Sequence, residues 1–192
     1  MKTRKPVNTK KLVAIGLLSA IVVVLQLLGG GIKFGTFSIT LVLIPIVVGA
    51  ALYGWKAGAW LGFVFSCMAM LDASLFLGMN AFGTVVTVYA KGILCGLCAG
   101  LVYQLLAKKL HNHTVAVVAA AIICPIVNTG IFALGCMVFF IPGIQDLLGL
   151  TSGGEAIASI FTVFIGVNFF IELGVNLVLA PVITRLIRIA KK

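Results

Sequence analysis

Three polar residues, Asn168, Glu172 and Asn176, recur every four positions inside an otherwise apolar stretch, residues 157–184. On a helix, positions i, i+4 and i+8 share nearly one side, so one carboxylate and two carboxamides form a narrow stripe. A carboxylate at bilayer depth is costly unless it is paired, protonated or turned toward a polar cavity. Two chemistries fit: a hydrogen-bond ladder that glues helices together, or a binding site for a small polar molecule. Other polar residues sit in similar surroundings. Thr84, Thr87 and Lys91 follow one another at spacings of three and four, flanked by Tyr89 and Tyr103. Asn128 and Thr129 follow shortly after Pro125, which frees a backbone carbonyl one turn earlier. Together, Lys91, Asn128, Glu172 and the flanking Asn168 and Asn176 supply one cation, one carboxylate and several amides. A ligand carboxylate suits Lys91, while hydroxyls or amides suit Glu172 and the asparagines. The structural alternative is that Lys91 and Glu172 neutralise each other, which is compatible with a site that opens around a ligand.

Much other chemistry is missing. There is no phosphate-binding loop of the G-x-x-x-x-G-K-[ST] kind, no H-E-x-x-H and no G-x-S-x-G. Of four acidic residues, only Glu172 falls in the interior of an apolar segment, so catalysis by paired carboxylates has no basis. No catalytic residue is assigned, and the chain is not expected to be an enzyme. The five cysteines lie in apolar runs, and Cys95-x-x-Cys98 lacks a second pair or a nearby histidine, so they read as packing residues. His111 and His113 have no third ligand and read as solvated loop residues. No metal and no cofactor is expected.

The elements that must position these residues are membrane helices. Hydrophobic residues make up 62% of the 192 and charged ones 9%, with mean hydropathy +1.26, which indicates an all-α integral membrane protein. Six transmembrane helices in a single domain, residues 1–192, are expected at about 12–28, 38–53, 59–77, 84–106, 115–140 and 157–184. The first apolar run is too long for a cleavable signal and lacks a small-x-small site. It carries Gly16 and Ala20 one turn apart, a groove that admits a neighbouring helix. The glycine-rich loop after it, residues 29–37 with Phe34, is a lid or a plain connector. Pro45 is expected to kink the second span. Trp55 and Lys56 fall in a turn, residues 54–58, and the glycine-rich residues 78–83 form another loop. The third span has small residues at Gly62 and Ser66, and on the fourth Gly92, Gly96 and Gly100 form a close-packing stripe. Residues 142–155 read as the longest loop, and the sixth span as ending at Pro181.

Charge sets the orientation. With six spans, both termini and the loops at Lys56 and residues 108–113 share one side, which then collects every basic residue except Lys33 and Lys91, and no acidic one. By the positive-inside rule that side is the cytoplasm. The net charge of +10 is thereby explained without nucleic acid.

In these features the sequence resembles the substrate-binding S components of energy-coupling factor (ECF) vitamin transporters, the broad group with riboflavin, pantothenate and folate-type members. The resemblance rests on the length, the basic N-terminus and the six spans. It rests also on the run SITLVLIPIVVGAALYGWKAG from Ser38 to Gly58, the pair Asn128-Thr129, and Asn168, Glu172 and Asn176 in the last span. It implies a multi-pass plasma-membrane subunit that captures a vitamin or precursor from outside, in a pocket built from spans four to six and the loop after span one. Thr87 and Phe34 join the expected substrate-binding residues on that basis. It further implies docking onto a transmembrane coupling protein and two ATPase subunits, which accounts for the absent phosphate loop. Members of the family often dock through Ala-x-x-x-Ala on span one, and here Gly16 and Ala20 stand at the matching positions. Lys91 favours an acidic compound such as pantothenate, while Phe34, Phe37 and Tyr89 would suit riboflavin. The alternative is an autonomous secondary transporter or channel for a small polar solute.

Overall fold

The computed structural model describes residues 9–31, 33–34, 37–38, 41–110 and 112–190. The basic residues at 2, 4, 5, 191 and 192, His111, and part of the loop after the first span lie outside the described residues. Three helical stretches, Thr9–Gly29, Ala81–Leu110 and His113–Leu148, are each long and apolar enough to cross a membrane. With shorter apolar helices around them, they make an all-α membrane protein.

Helix α1 (Thr9–Gly31) lies on the outside of the bundle. Val22 is its buried side chain, while Leu12, Leu17, Val24, Leu27 and Leu28 are exposed, as suits contact with lipid. Two polar contacts tie it to α3 (Trp55–Asp72): the Trp60 indole donates to the Ser19 hydroxyl at 3.3 Å, and the Gln26 amide donates to the Asp72 carboxylate at 3.2 Å. A two-residue strand β1 (Lys33–Phe34) then pairs antiparallel with β2 (Phe37–Ser38), which packs against the last helix.

The second apolar segment is helical only over α2 (Leu43–Tyr53), because Phe37–Ser38 pair with β1 and Leu41–Val42 form a turn. This corrects the expected role of Pro45. It is the third residue of α2, where the backbone N–H has no intrahelical partner in any case, so the ring breaks no hydrogen bond and causes no kink. Helix α2 is almost wholly buried and packs against α1, α3 and three later helices, making it the centre of the bundle. It stops at Gly54, whose φ of +94° favours glycine, and α3 starts at the next residue. The expected turn over residues 54–58 is therefore Gly54 followed by the first turn of α3, with the Lys56 ammonium 5.4 Å from the Trp55 ring centre.

Helix α3 lies against α5 (Ala81–Leu110) along the expected glycine stripe of α5, which meets Gly58 and Gly62 of α3. Gly58 faces the Gly96 carbonyl and Gly62 the Gly92 carbonyl, so that a Cβ at any of these positions would run into the opposite backbone. The Ser66 hydroxyl lies 2.9 Å from the carbonyls of both Gly62 and Val88, adding a link across the joint. Between the two helices stands a short α4 (Ser74–Met79). Asn80 caps α5 by accepting from the Gly83 N–H at 2.8 Å, so the expected loop over 78–83 narrows to one non-helical residue.

Helix α6 (His113–Gly135) begins at the cap Asn112, whose side-chain oxygen accepts from Thr114 N at 3.0 Å and Val115 N at 3.3 Å. It runs through Pro125, widens into a π-helical turn at Cys136–Phe140, and continues as α7 (Ile141–Leu148), ending at Gly149 with φ +64°. A capping box between Ser152 and Glu155 starts α8 (Gly153–Ser159). The expected loop over 142–155 is thus largely helical. A second π-helical segment, Ile160–Gly166, leads into α9 (Val167–Ala190), which packs on α6 and α2. Helix α9 does not end at Pro181: Ile183 and Ile187, both buried in the core, hold the following turns in place.

The core has two apolar clusters. One joins α2 and α3 to Cys95, Ala99 and Tyr103 of α5, Ala116, Val117, Ala120 and Cys124 of α6, and Ile183 and Ile187 of α9. The other gathers Ala133, Cys136, Phe140, Ile144, Ala156, Ile160 and Ile165. Along α6 and α9, a polar layer separates them.

Candidate functional site

That layer contains Asn128 on α6 and Glu172 and Asn176 on α9, all buried. The Asn128 amide nitrogen donates to Glu172 Oε2 at 3.5 Å, and the Asn176 amide nitrogen donates to the Glu172 backbone carbonyl at 2.8 Å. Glu172 is the buried carboxylate among the described acidic residues: Asp72 and Asp146 are exposed, and exposed Glu155 is used as a cap.

Helix α5 contributes from its N-terminal third. Thr84 and Thr87 are buried, and the Thr84 hydroxyl donates to the Asn80 carbonyl at 2.8 Å. Lys91, half-buried, places its ammonium 5.1 Å from the centre of Phe132 on α6 and 5.8 Å from that of Phe65 on α3. Such distances allow cation–π attraction. The ammonium is also within electrostatic reach of the Glu172 carboxylate. Yet α5 and α9 have no extensive packing of their own, because α6 stands between them. On α6, Asn128, Phe132 and Gly135 occur at i, i+4 and i+7, one stripe that meets Glu172, Lys91 and Thr87 in turn. Gly135 matters because a Cβ there would collide with the Thr87 hydroxyl and methyl.

Three atoms stand out. Among the described residues, Thr87 Oγ1, Asn128 Oδ1 and Asn176 Oδ1 are buried polar atoms with no hydrogen-bond partner. All three belong to residues expected from the sequence to bind substrate. The structure thus brings together Thr87, Lys91, Asn128, Glu172 and Asn176. Asn168 is the second residue of α9, one turn before Glu172, and Phe34 lies in β1; their side chains lie outside the described part of the structure. Gly16 and Ala20 are exposed on α1, with no atom within 4 Å of where a Gly16 Cβ would stand.

Other residues lie elsewhere. Tyr89 contacts Cys67 and Phe63 on α3. Tyr103 lies near the far end of α5, its hydroxyl 3.2 Å from His113 Nδ1. His113 is exposed, as expected, but it is the first residue of α6 with a buried tyrosine as partner and not part of a loop. The Phe65 and Phe132 contacts to Lys91 were not anticipated; Phe132 carries a sequence signal, its i+4 spacing from Asn128. Among the described residues no three His, Cys, Asp or Glu side chains converge as metal ligands would.

Apolar helices of membrane-crossing length around a buried polar layer define a membrane protein with its polar chemistry held inside the bundle. The family model for the substrate-specific component of ECF transporters matches residues 10–184, and the chain belongs to that family. It is a substrate-binding transport subunit, not an enzyme. No curated protein matches the chain.

Proposed function

We propose that this subunit captures a vitamin or related small polar metabolite from outside the cell, with pantothenate the favoured candidate, for ATP-driven uptake. The observation that carries the reading is the set of unpartnered buried atoms in this layer: Asn128 Oδ1 and Asn176 Oδ1 beside Glu172, and Thr87 Oγ1 one turn from Lys91 on α5. A buried acceptor left unmet costs about 1–3 kcal/mol. A ladder that served only to glue helices would satisfy these atoms with one another. Pantothenate offers hydroxyl and amide donors for the three atoms and a carboxylate for Lys91. Asn168 and Phe34 complete the proposed substrate-binding set.

In this reading the chain is one membrane domain of six spans, at about 12–28, 38–53, 59–77, 84–106, 115–140 and 157–184, in the plasma membrane. Both termini are cytoplasmic, which puts most of the basic residues on the side of the ATPases. The exposed pair Gly16 and Ala20 on α1 forms the docking face for the transmembrane coupling protein, which is joined by two ATPase subunits. Native mass spectrometry of the purified chain tests the substrate, followed by titration with a vitamin panel. Pantothenate is expected to be retained, and Lys91→Met to weaken its binding at least roughly tenfold, as loss of a charge-assisted hydrogen bond does. Retention of riboflavin in its place would overturn the pantothenate assignment. No binding of any vitamin in the nanomolar-to-micromolar range would overturn the capture role.

A further inference from the structure

Asn128 and Asn176 carry more information than their positions. A carboxamide has a donating end and an accepting end, and which way it points is decided by its partners. The Asn176 NH2 group meets the Glu172 backbone carbonyl, which can only accept, at 2.8 Å. The Asn128 NH2 group faces Glu172 Oε2, which when ionised also only accepts, at 3.5 Å. One residue therefore holds the donating end of both amides, and the opposite ends, Asn128 Oδ1 and Asn176 Oδ1, are the buried atoms without partners. Both asparagines are at least nine-tenths buried, at 5% and 0% exposure, so bulk water is not at hand to satisfy them.

We propose that the Glu172 carboxylate positions Asn128, turning its carbonyl oxygen toward the ligand beside the Asn176 oxygen that the backbone of α9 holds in place, so that the site selects molecules presenting at least two O–H or N–H donors. The proposal rests on the capture reading above and adds to it the chemistry of selection. A ligand whose donors are blocked leaves two buried acceptors unmet, and binds roughly tenfold to hundredfold more weakly for each one lost. Glu172→Gln changes the logic of the site. The new amide can donate to Asn128 Oδ1, which lets Asn128 rotate and offer its NH2 group to the ligand. A residue that only held the fold would weaken all ligands alike; a positioning residue changes which ligands are preferred.

The test uses the full chain in lipid nanodiscs and a panel of water-soluble vitamins, each paired with its O- or N-methylated counterpart. Pantothenate and its di-O-methyl derivative are the first pair. In the wild type, the parent compound that binds is expected to lose at least about tenfold in affinity on methylation, and Glu172→Gln to narrow that gap. Equal binding of parent and methylated compound, or a gap unchanged in Glu172→Gln, overturns the proposal while leaving the capture role intact. Failure of every panel member to bind overturns the capture role and the proposal with it. A second measurement needs no ligand. With 15N-labelled asparagine, the Asn128 side-chain NH2 signal is expected to move upfield in Glu172→Gln while that of Asn176, bonded to a backbone carbonyl, stays in place. An unmoved Asn128 signal overturns the proposal.

Discussion

Replacing Gly62 by alanine tests whether the glycine joint between α3 and α5 holds the site in position. A Cβ at Gly62 falls against the Gly92 carbonyl, with the Gly92 carbonyl carbon 2.7 Å and Ile93 Cα 3.3 Å away. The three nearest atoms are all backbone, so no side-chain rotation moves them away. Restoring ordinary carbon contacts of about 3.5–4.0 Å requires the helices to part by about 1 Å. That movement strains the contact of the Ser66 hydroxyl with the Val88 carbonyl and shifts α5 beside Lys91. Overpacking costs about 1–3 kcal/mol, and a rigid backbone collision belongs at the upper end. The higher helix propensity of alanine offsets about 1 kcal/mol, leaving a net loss of about 2 kcal/mol. Gly130, on α6, is the control: a Cβ there meets nothing within 4 Å, so Gly130→Ala keeps only the propensity gain. At about 2–4 °C per kcal/mol for a chain of this size, Gly62→Ala lowers the unfolding midpoint by about 4–8 °C and Gly130→Ala raises it by about 2–4 °C. Both tryptophans, Trp55 and Trp60, lie on α3, so intrinsic fluorescence in nanodiscs reports on the joint directly. Equal midpoints for the two variants would refute the reasoning.

Three further outcomes follow from the same geometry. Gly135→Ala sets a methyl against the Thr87 hydroxyl, methyl and Cβ, and because no rotamer moves that Cβ the α5–α6 contact must also give; ligand affinity is expected to fall roughly tenfold, the worth of one hydrogen bond, and the unfolding midpoint to fall with it, as titration and thermal unfolding on one sample would show. Asn112→Ala removes the α6 cap and about 1 kcal/mol of stability, lowering the midpoint by about 2–4 °C with ligand binding unchanged in the same titration. Gly16→Leu with Ala20→Leu fills the exposed groove of α1 without touching the core, so vitamin binding persists while co-purification with the coupling protein is lost; retained co-purification would remove α1 as the docking face.

The glycine stripe of α5 and the polar layer were legible in the sequence because both depend on helical periodicity. Gly58, Gly62, Gly92 and Gly96 interlock at the four-residue spacing that placed three of them on helix faces, and Asn128 meets Glu172 as two polar residues in apolar helices should. Short-range geometry was not legible. Pro45 reads as a kink when α2 is drawn too long, and as harmless once Phe37 and Ser38 are taken into a strand. Residues 78–83 and 142–155 are rich in glycine, so they look like loops, yet Asn80, Ser152 and Gly149 cap or end helices there. The stripe on α9 also conceals an internal bond: Asn176 spends its NH2 group on its own helix, on the carbonyl four residues back. The Lys91 contacts with Phe65 and Phe132 join three helices, and no spacing along one helix reveals them.

The shortness of α2 has a consequence for biogenesis. Its 11 residues rise only about 16 Å, against about 30 Å of hydrocarbon in a bilayer. Alone in lipid it would leave unbonded peptide groups at both ends within the apolar region, which a membrane does not tolerate. If α2 forms the second of six spans, its route into the bilayer is together with α3, as a hairpin joined at Gly54, with α5, α6 and α9 packing around it afterwards. Substitution at Gly54 should then reduce how many chains are inserted at all, before the stability of any finished molecule comes into question.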